Sequence, residues 1–301
     1  MPALRNAGGG GVRRTGRHVG RASLAGPDRV PMTPPARPPA VAGLFYPADP
    51  AVLCRTVDDL LAAVPPSEEP LARAYVVPHA GYRYSGITAA YVYAHLGRCA
   101  HAVRRIVLIG PSHRRPLRGV AVPAASSWHT PLGPVEIDVD GAAALVASGL
   151  AVADDAVHAE EHSIEVQLPF LQRVLPERPP ILPIAVGLSS ASEVATVIAA
   201  ALSAGPGEAI VLCSTDLSHY LEDTAARQRD EATISAVLRL DADAIGPADA
   251  CGRHPLRGLV HWAAGIGLHG HLHDYRTSAQ AGADPSRVVG YAALALSPPE
   301  P

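Results

Sequence analysis

Short apolar runs alternate with longer segments of helical periodicity along most of the chain. Runs of β-branched and other apolar residues predict strands, whereas apolar positions that recur at the helical period predict amphipathic helices. The predicted strands are 73–78, 104–109, 119–122, 135–139, 181–186, 209–213, 272–278 and 287–296. The predicted helices are 50–64, 86–96, 141–148, 163–175, 191–203, 224–238 and 255–267. This alternation is typical of an α/β fold with a sheet that is parallel in its centre, and the two late strands, adjacent in sequence, predict an antiparallel edge.

The first 38 residues differ in composition from the rest of the chain. They contain seven arginines, one acidic residue and few large apolar side chains, so they cannot bury enough surface to offset the entropy of ordering. We predict a disordered tail over residues 1–38 that is rich in arginine, glycine and proline. A single domain is predicted over residues 39–298, with helices on both faces of a mixed, mostly parallel sheet. Two alternatives for the tail are a basic arm that contacts nucleic acid and a translation start at Met32.

Composition and charge argue against several classes of protein. The 301 residues are 48% hydrophobic, which is enough for a substantial core. A formal net charge of −3 argues against a nucleic-acid partner. The four cysteines form no CxxC pair, so neither a disulfide framework nor a zinc ribbon is indicated. No apolar run approaches the roughly 18 residues of a membrane span, and we expect a cytoplasmic protein with no membrane partner.

Polar side chains with histidines follow three of the predicted central strands. They lie in the segments PHAGYRYSG (78–86), GPSHRRP (110–116) and STDLSHY (214–220). Because ligands of open α/β sheets bind at the carboxyl ends of the strands, all three loops should line one crevice. Imidazole is the commonest metal ligand in proteins, so His79 and His113 are predicted as two metal ligands. His219 is predicted as a general acid or base with Asp216 as an orienting group, although Asp216 could instead cap a helix.

Cys251 is the predicted third metal ligand. It lies directly before a helix whose first turn holds Pro255. A helix N-terminus lowers the pKa of a thiol and favours the thiolate, and Arg253 and His254 should strengthen that effect. The alternative is a buried and inert cysteine, which is how we interpret the other three.

Further polar residues near these loops are candidates for substrate binding. His162 and Glu165 open a predicted amphipathic helix in EEHSIEVQLPFLQ (160–172), where Glu165 could equally be a charge that compensates the helix dipole. Tyr82 and Tyr84 could bind an aromatic or anionic group, together with neighbouring arginines. These arginines are Arg83, Arg114 and Arg115. Histidines also alternate in HGHLHDY, residues 269–275, where an exposed strand face explains the pattern as well as a metal site does.

Six segments, in order and at natural spacing, closely resemble the Memo family, whose bacterial and archaeal members are labelled AmmeMemoRadiSam system protein B. They are AVAGLFYP (40–47), PHAGYRYSG, GPSHRRP, EEHSIEVQLPFLQ, STDLSHY and CGRHPL (251–256). The resemblance covers residues 39–296 and implies a fold similar to the class III, LigB-type extradiol dioxygenases, which are non-haem iron enzymes. By this resemblance His79, His113 and Cys251 correspond to a metal site, Asp216 to a pocket residue, and His219 to the catalytic histidine of the dioxygenases.

One difference from the dioxygenases affects the expected cofactor and reaction. The dioxygenases use a carboxylate as the third ligand, whereas Cys251 offers a thiolate. A soft thiolate favours copper(I) or thiolate-bound iron, so we expect an Fe(II) or copper ion. Ring-cleaving activity therefore does not transfer with the fold.

Three functions are compatible with these features. The first is a metal-dependent redox enzyme that acts on an unknown small molecule or peptide. The second is a module that binds a peptide or partner protein in an inherited dioxygenase-like pocket. The third, implied by the family name, is a component of an assembly with radical-SAM and Amme-domain proteins.

Overall fold

The computed structural model describes residue 11 and residues 36–205 and 209–299. The helices are α1 (Pro50–Ala62), α2 (Tyr82–Arg98), α3 (Val139–Ala147), α4 (Asp155–Ala159), α5 (Leu168–Val174), α6 (Ala191–Ser203), α7 (Asp223–Leu238) and α8 (Arg253–Gly265). The strands are β1 (Ala74–Val77), β2 (Arg105–Pro111), β3 (Val120–Val122), β4 (Ser127–Thr130), β5 (Gly133–Glu136), β6 (Val152–Ala153), β7 (Ile181–Val186), β8 (Ala209–Ser214), β9 (His219–Leu221), β10 (His269–Thr277) and β11 (Val288–Ser297).

One mixed sheet organises the described residues. Its strand order is β10-β11-β1-β8-β2-β7-β3-β6, and β9 pairs with β11. The central strands β1, β8, β2 and β7 are parallel to one another, and β11 joins β1 and β10 in antiparallel pairs. The predicted α/β class is therefore confirmed, with a mostly parallel centre and an antiparallel edge.

Both faces of the sheet are buried. Along β1, Tyr75 and Val77 pack in one hydrophobic cluster with residues of α1, α2 and α5, whereas Ala74 and Val76 pack in a second cluster with residues of α3, α6, α7 and α8. Because helices cover each face, the central strands read as continuous apolar runs and not as alternating patterns. No helix within the described ranges is both long enough and apolar enough to cross a membrane.

Several predicted elements differ in their bounds. The predicted helix 163–175 is a 3₁₀ turn over Glu165–Gln167 followed by α5, which carries a proline in its first turn, where the missing N–H costs nothing. The predicted strand 135–139 is β5, which forms a hairpin with the unpredicted β4. The short elements β6, β9 and α4 were also not predicted, because two to five residues are too few to show a period.

Arg37 corrects the predicted domain boundary at residue 39. Its side chain is buried and forms an ion pair with Glu165 at 2.7 Å, and its guanidinium stacks over Trp128 at 4.4 Å from the ring centroid. The folded unit therefore includes Arg37, which composition had assigned to the tail. The rest of the predicted tail, up to residue 35, lies outside the described residues apart from residue 11.

Candidate metal centre

His79, His113 and Cys251 converge at the carboxyl edge of the sheet. His79 follows the end of β1 and His113 follows the end of β2, and β8 lies between these two strands. Their donor atoms and Cys251 Sγ all lie within 4.8 Å of one another, and His79 Nε2 is 3.2 Å from Cys251 Sγ. Metal–ligand bonds are about 2.0–2.3 Å long, so one ion can contact all three donors after small side-chain movements.

Hydrogen bonds fix the tautomer of His79. The Ser214 hydroxyl donates to the Ser163 carbonyl oxygen at 2.5 Å, so it must accept from the ring N–H of His79, whose Nδ1 is 2.9 Å away. The Nε2 of His79, which faces Cys251, is then the unprotonated nitrogen. Burial lowers the pKa of His79 well below its usual value, and the neighbouring His113 and His162 add to that effect. At neutral pH His79 can therefore offer a lone pair to a metal ion.

Glu161 orients His113, and sequence reasoning did not identify it. Its carboxylate accepts from the His113 ring Nδ1 at 3.0 Å and from the His113 backbone N–H. A carboxylate that holds the distal nitrogen of a ligand histidine is a recurring feature of metal sites. The only sequence signal for Glu161 was its position next to His162 in the segment EEHS.

The Glu161 carboxylate is ionised although it is buried. Burial works against ionisation, but hydrogen bonds from His113 and from the backbone N–H groups of His162 and Ser163 lower its pKa far below the usual range. The close approach of this segment to β2 requires Gly110, because a Cβ there would lie 2.8 Å from Ser163 Oγ.

His162 completes a cluster of three imidazoles. Its ring stacks on that of His113 with centroids 4.9 Å apart and meets that of His79 edge-on at 5.4 Å. Burial lowers the pKa of His162 to about 4, with a further contribution from His113. A neutral His162 can therefore line the pocket without repelling a bound cation.

Cys251 lies at the start of α8, but its thiol is not acidic. Burial raises the pKa of Cys251 to about 12, and the carboxylate of Asp216 raises it further. The predicted lowering of this pKa is therefore wrong, because desolvation outweighs the helix N-terminus. His254 does not assist the thiol either, since its Nδ1 donates to the Ser189 carbonyl oxygen at 2.7 Å. Binding of a metal ion at Cys251 must therefore displace a proton.

Backbone packing fixes the position of the thiol. Gly252 follows Cys251, and its N–H donates to Thr215 Oγ1 at 2.9 Å. A Cβ at Gly252 would lie 2.7 Å from that same oxygen, so only glycine allows this contact. The backbone N–H of Asp216 points at Cys251 Sγ at 3.4 Å. This N–H would stabilise a thiolate once it forms.

Asp216 positions His79. Its carboxylate accepts from the backbone N–H of His79 at 2.7 Å, so it joins the ends of β1 and β8. The predicted orienting contact with His219 is replaced by a bond from His219 Nδ1 to the Leu217 carbonyl oxygen at 2.9 Å. The alternative prediction, a helix cap at Asp216, is wrong, because the side chain of Glu222 caps α7.

The bond to Leu217 also defines the chemistry available to His219. A carbonyl oxygen only accepts, so Nδ1 of His219 carries the proton. Its Nε2 is then free to accept or return a proton in the pocket.

The neighbouring carboxyl group of Asp216 has a perturbed pKa. Burial raises this pKa above its usual range, although the hydrogen bond from the His79 backbone acts in the opposite direction.

An open pocket of about 610 Å³ surrounds these groups. The predicted binding residues Tyr84 and His162 line it, as does Arg114. Tyr220, which no sequence motif singled out, also lines the pocket, and its φ of 60° is unusual for a residue other than glycine.

Tyr82 and Glu165, which were predicted to bind substrate, are structural residues instead. The Tyr82 hydroxyl donates to the Val166 carbonyl oxygen at 2.6 Å within the core. The Glu165 carboxylate is fully buried and accepts from Arg37 and from Tyr46 Oη at 2.6 Å. The prediction for Glu165 is wrong because the helix expected at 163–175 begins later, after a 3₁₀ turn that directs this carboxylate into the core. The prediction for Tyr82 is wrong because α2 already begins at Tyr82, before the predicted start at residue 86, and its first turn packs this ring in the core.

Fold and site together define an α/β protein with a candidate histidine–cysteine metal centre at the carboxyl ends of its central strands. The family model for Memo-like proteins matches residues 37–295. The chain therefore belongs to the Memo-like family, which confirms the resemblance found in the sequence.

Curated relatives match nearly their whole length. MEMO1 family proteins of Methanopyrus kandleri and Methanosarcina barkeri are 35% and 37% identical, and each alignment covers 86% of this chain and 98% of the relative. The relative from Aquifex aeolicus is 36% identical over 85% of this chain and 97% of its own. An uncharacterised protein of Escherichia coli K12 with a solved structure aligns over 75% of this chain with a TM-score of 0.48 and 14% identity, a likeness too distant to bear on function.

Replacement of Glu161 by glutamine is expected to weaken metal binding without unfolding the protein. The amide can still accept from His113 but supplies no negative charge, and loss of such an outer partner costs about 10–100-fold in affinity. Titration with Fe(II) or Cu(I) under anaerobic conditions measures the effect. The matched control is Glu160→Gln, an exposed neighbour; equal affinities for the two variants would contradict the role assigned to Glu161.

Proposed function

We propose that this protein is a metal-dependent redox enzyme that holds an Fe(II) or copper ion on His79, His113 and Cys251. The observation that supports this most is the convergence of the three donors within 4.8 Å at an open pocket. Three protein ligands leave coordination positions open to substrate. A thiolate beside two imidazoles suits an ion that changes oxidation state better than it suits Mg²⁺ or Ca²⁺.

The protein side chains position the substrate and move protons. Tyr84 and Arg114 line the pocket, so they can contact an aromatic or anionic part of a substrate. His219 Nε2 can take a proton from a bound hydroxyl or thiol and return it to the product. Asp216 holds the backbone of His79 in place during this cycle. An ion bound to the three donors would supply electron transfer and a Lewis-acidic position.

A second candidate function is the binding of a peptide or partner protein. Leu44 and Tyr220 line the pocket, and these residues are 81% and 63% exposed. Exposed apolar residues at a pocket rim are typical of a surface that a partner covers. Radical-SAM and Amme-domain proteins are the partners proposed for this rim, in a cytoplasmic assembly.

Metal analysis of protein purified anaerobically tests the first proposal. We expect about one equivalent of iron or copper per chain and turnover of a catechol or thiol from a substrate screen. An ion without turnover of any compound would favour the binding module. Absence of both ions in wild type, together with no uptake from added Fe(II) or Cu(I), would reject the metal-dependent enzyme.

Replacement of His219 by glutamine is expected to lower turnover of the identified substrate by about 10²–10⁴-fold, because general acid–base catalysis contributes that much. Metal occupancy should not change, since His219 is outside the donor set. The pH dependence of kcat/KM should also flatten on the limb that reports this histidine. The control is His261→Gln on the exposed face of α8. A variant that keeps wild-type kcat and pH profile would remove His219 from the mechanism.

A further inference from the structure

A second cluster of potential metal ligands lies at the other end of the strands. His271 of the edge strand β10 pairs with Ala295 of β11, which in turn pairs with Tyr75 near the start of β1. The candidate metal centre, in contrast, follows the end of β1. The second cluster is therefore separate from the pocket and has no part in the function proposed above.

The cluster consists of Glu69, His271 and His273. Their donor atoms lie within 4.8 Å of one another. His271 Nε2 is 3.3 Å from one carboxylate oxygen of Glu69, and His273 Nε2 is 3.8 Å from the other. The two imidazole rings have centroids 5.1 Å apart. One carboxylate thus faces two ring nitrogens across a distance that a single cation can bridge.

His273 gives this cluster a feature that an exposed strand face does not explain. Its side chain is only 8% exposed, whereas that of His271 is 59% exposed. Its Nε2 is buried and has no hydrogen-bond partner among the described residues. A buried nitrogen without a partner carries a desolvation cost, so such atoms are rare unless they bind something.

The chain holds the cluster in place from both sides. A bulge in β10 between Leu272 and Asp274 changes the direction of the His273 side chain. On the other side, His95 Nε2 lies 3.0 Å from the Glu69 carbonyl oxygen and fixes the backbone there. The backbone at Glu69 and the side chain of His273 are therefore both held in place.

We propose that Glu69, His271 and His273 form a second metal site that binds a divalent ion of the zinc type. Two imidazoles and one carboxylate are a donor set that Zn²⁺ accepts, with a fourth position left for water. The bound ion ties the proline-rich segment 65–70 to the edge strand β10.

Zinc titration of the full-length chain tests this site. Wild type is expected to bind two equivalents of Zn²⁺, one at each cluster. His271→Ala and Glu69→Gln should each weaken one of these equivalents by at least about tenfold. Both positions are partly exposed, at 59% and 41%, so the variants should fold normally. His269→Ala, an exposed histidine of the same strand outside the donor set, should bind like wild type.

Comparison of single variants at the two sites, together with the spectra of their Co²⁺ complexes, distinguishes the two sites. Cys251→Ser should retain the equivalent that His271→Ala weakens, and its Co²⁺ complex should lack the charge-transfer band that a thiolate ligand produces. The second site would be rejected if wild type binds one equivalent that Cys251→Ser abolishes. It would also be rejected if His271→Ala and Glu69→Gln bind zinc as tightly as His269→Ala.

Discussion

Replacement of Cys251 by serine is expected to lower the affinity for Fe(II) or Cu(I) by more than about 100-fold, which exceeds the typical cost of losing an outer partner. A neutral hydroxyl is a much poorer ligand for these ions than a thiolate. The fold should be unchanged, because serine is close in size and can accept the hydrogen bond from the Asp216 N–H. Metal content after anaerobic dialysis, together with the thermal unfolding midpoint, measures both effects.

The burial of Cys251 adds a pH dependence to this prediction. Burial raises its pKa to about 12, so metal binding near neutral pH releases the thiol proton and weakens as pH falls. The Cys251→Ser variant should lose this proton release. Cys213→Ala is the control, because Cys213 is also a buried cysteine but lies within the central strand β8. If it loses as much metal as Cys251→Ser, the assignment of the ligand is wrong.

The central strands of the fold could be predicted because both of their faces are buried. Segments 106–109 and 209–213 are apolar at every position, and they lie within β2 and β8 in the middle of the sheet. In contrast, β9 has three residues that are not fully buried, and its pairing with β11 is set by tertiary contacts. No local pattern reports such an element.

The positions of His79 and His113 could be predicted because parallel strands end at one edge of a sheet. The roles of Glu161 and Glu165 could not be predicted, since the two glutamates are only four positions apart in one segment. The points at which the 3₁₀ turn and α5 begin determine which of these two glutamates points toward the metal centre. That boundary is decided by packing against Arg37 and Tyr46, which are more than 100 positions away in sequence.

Replacement of Glu165 by alanine is expected to destabilise the protein by about 3–5 kcal/mol, the typical cost of breaking a buried ion pair. The Arg37 and Glu165 side chains are only 5% and 0% exposed, so the guanidinium would lose its charged partner. The N–H groups of Ala40 and Val41 and the Tyr46 hydroxyl would lose an acceptor as well. Urea unfolding followed by circular dichroism measures the loss.

The matched control for this change is Glu177→Ala, which breaks an ion pair with Arg104 whose side chains are 53% and 72% exposed. Exposed pairs contribute about 0–1 kcal/mol, so this variant should unfold close to wild type. Joint replacement of Arg37 by methionine and Glu165 by leucine should recover only the part of the loss that comes from the unpaired guanidinium charge, because the Ala40 and Val41 N–H groups and the Tyr46 hydroxyl still lack their acceptor. Because Arg37 also donates to the Glu161 carbonyl oxygen at 2.7 Å, Glu165→Ala should weaken metal binding too. If Glu165→Ala lowers the free energy of unfolding no more than Glu177→Ala does, the ion pair between Arg37 and Glu165 does not anchor the start of the domain.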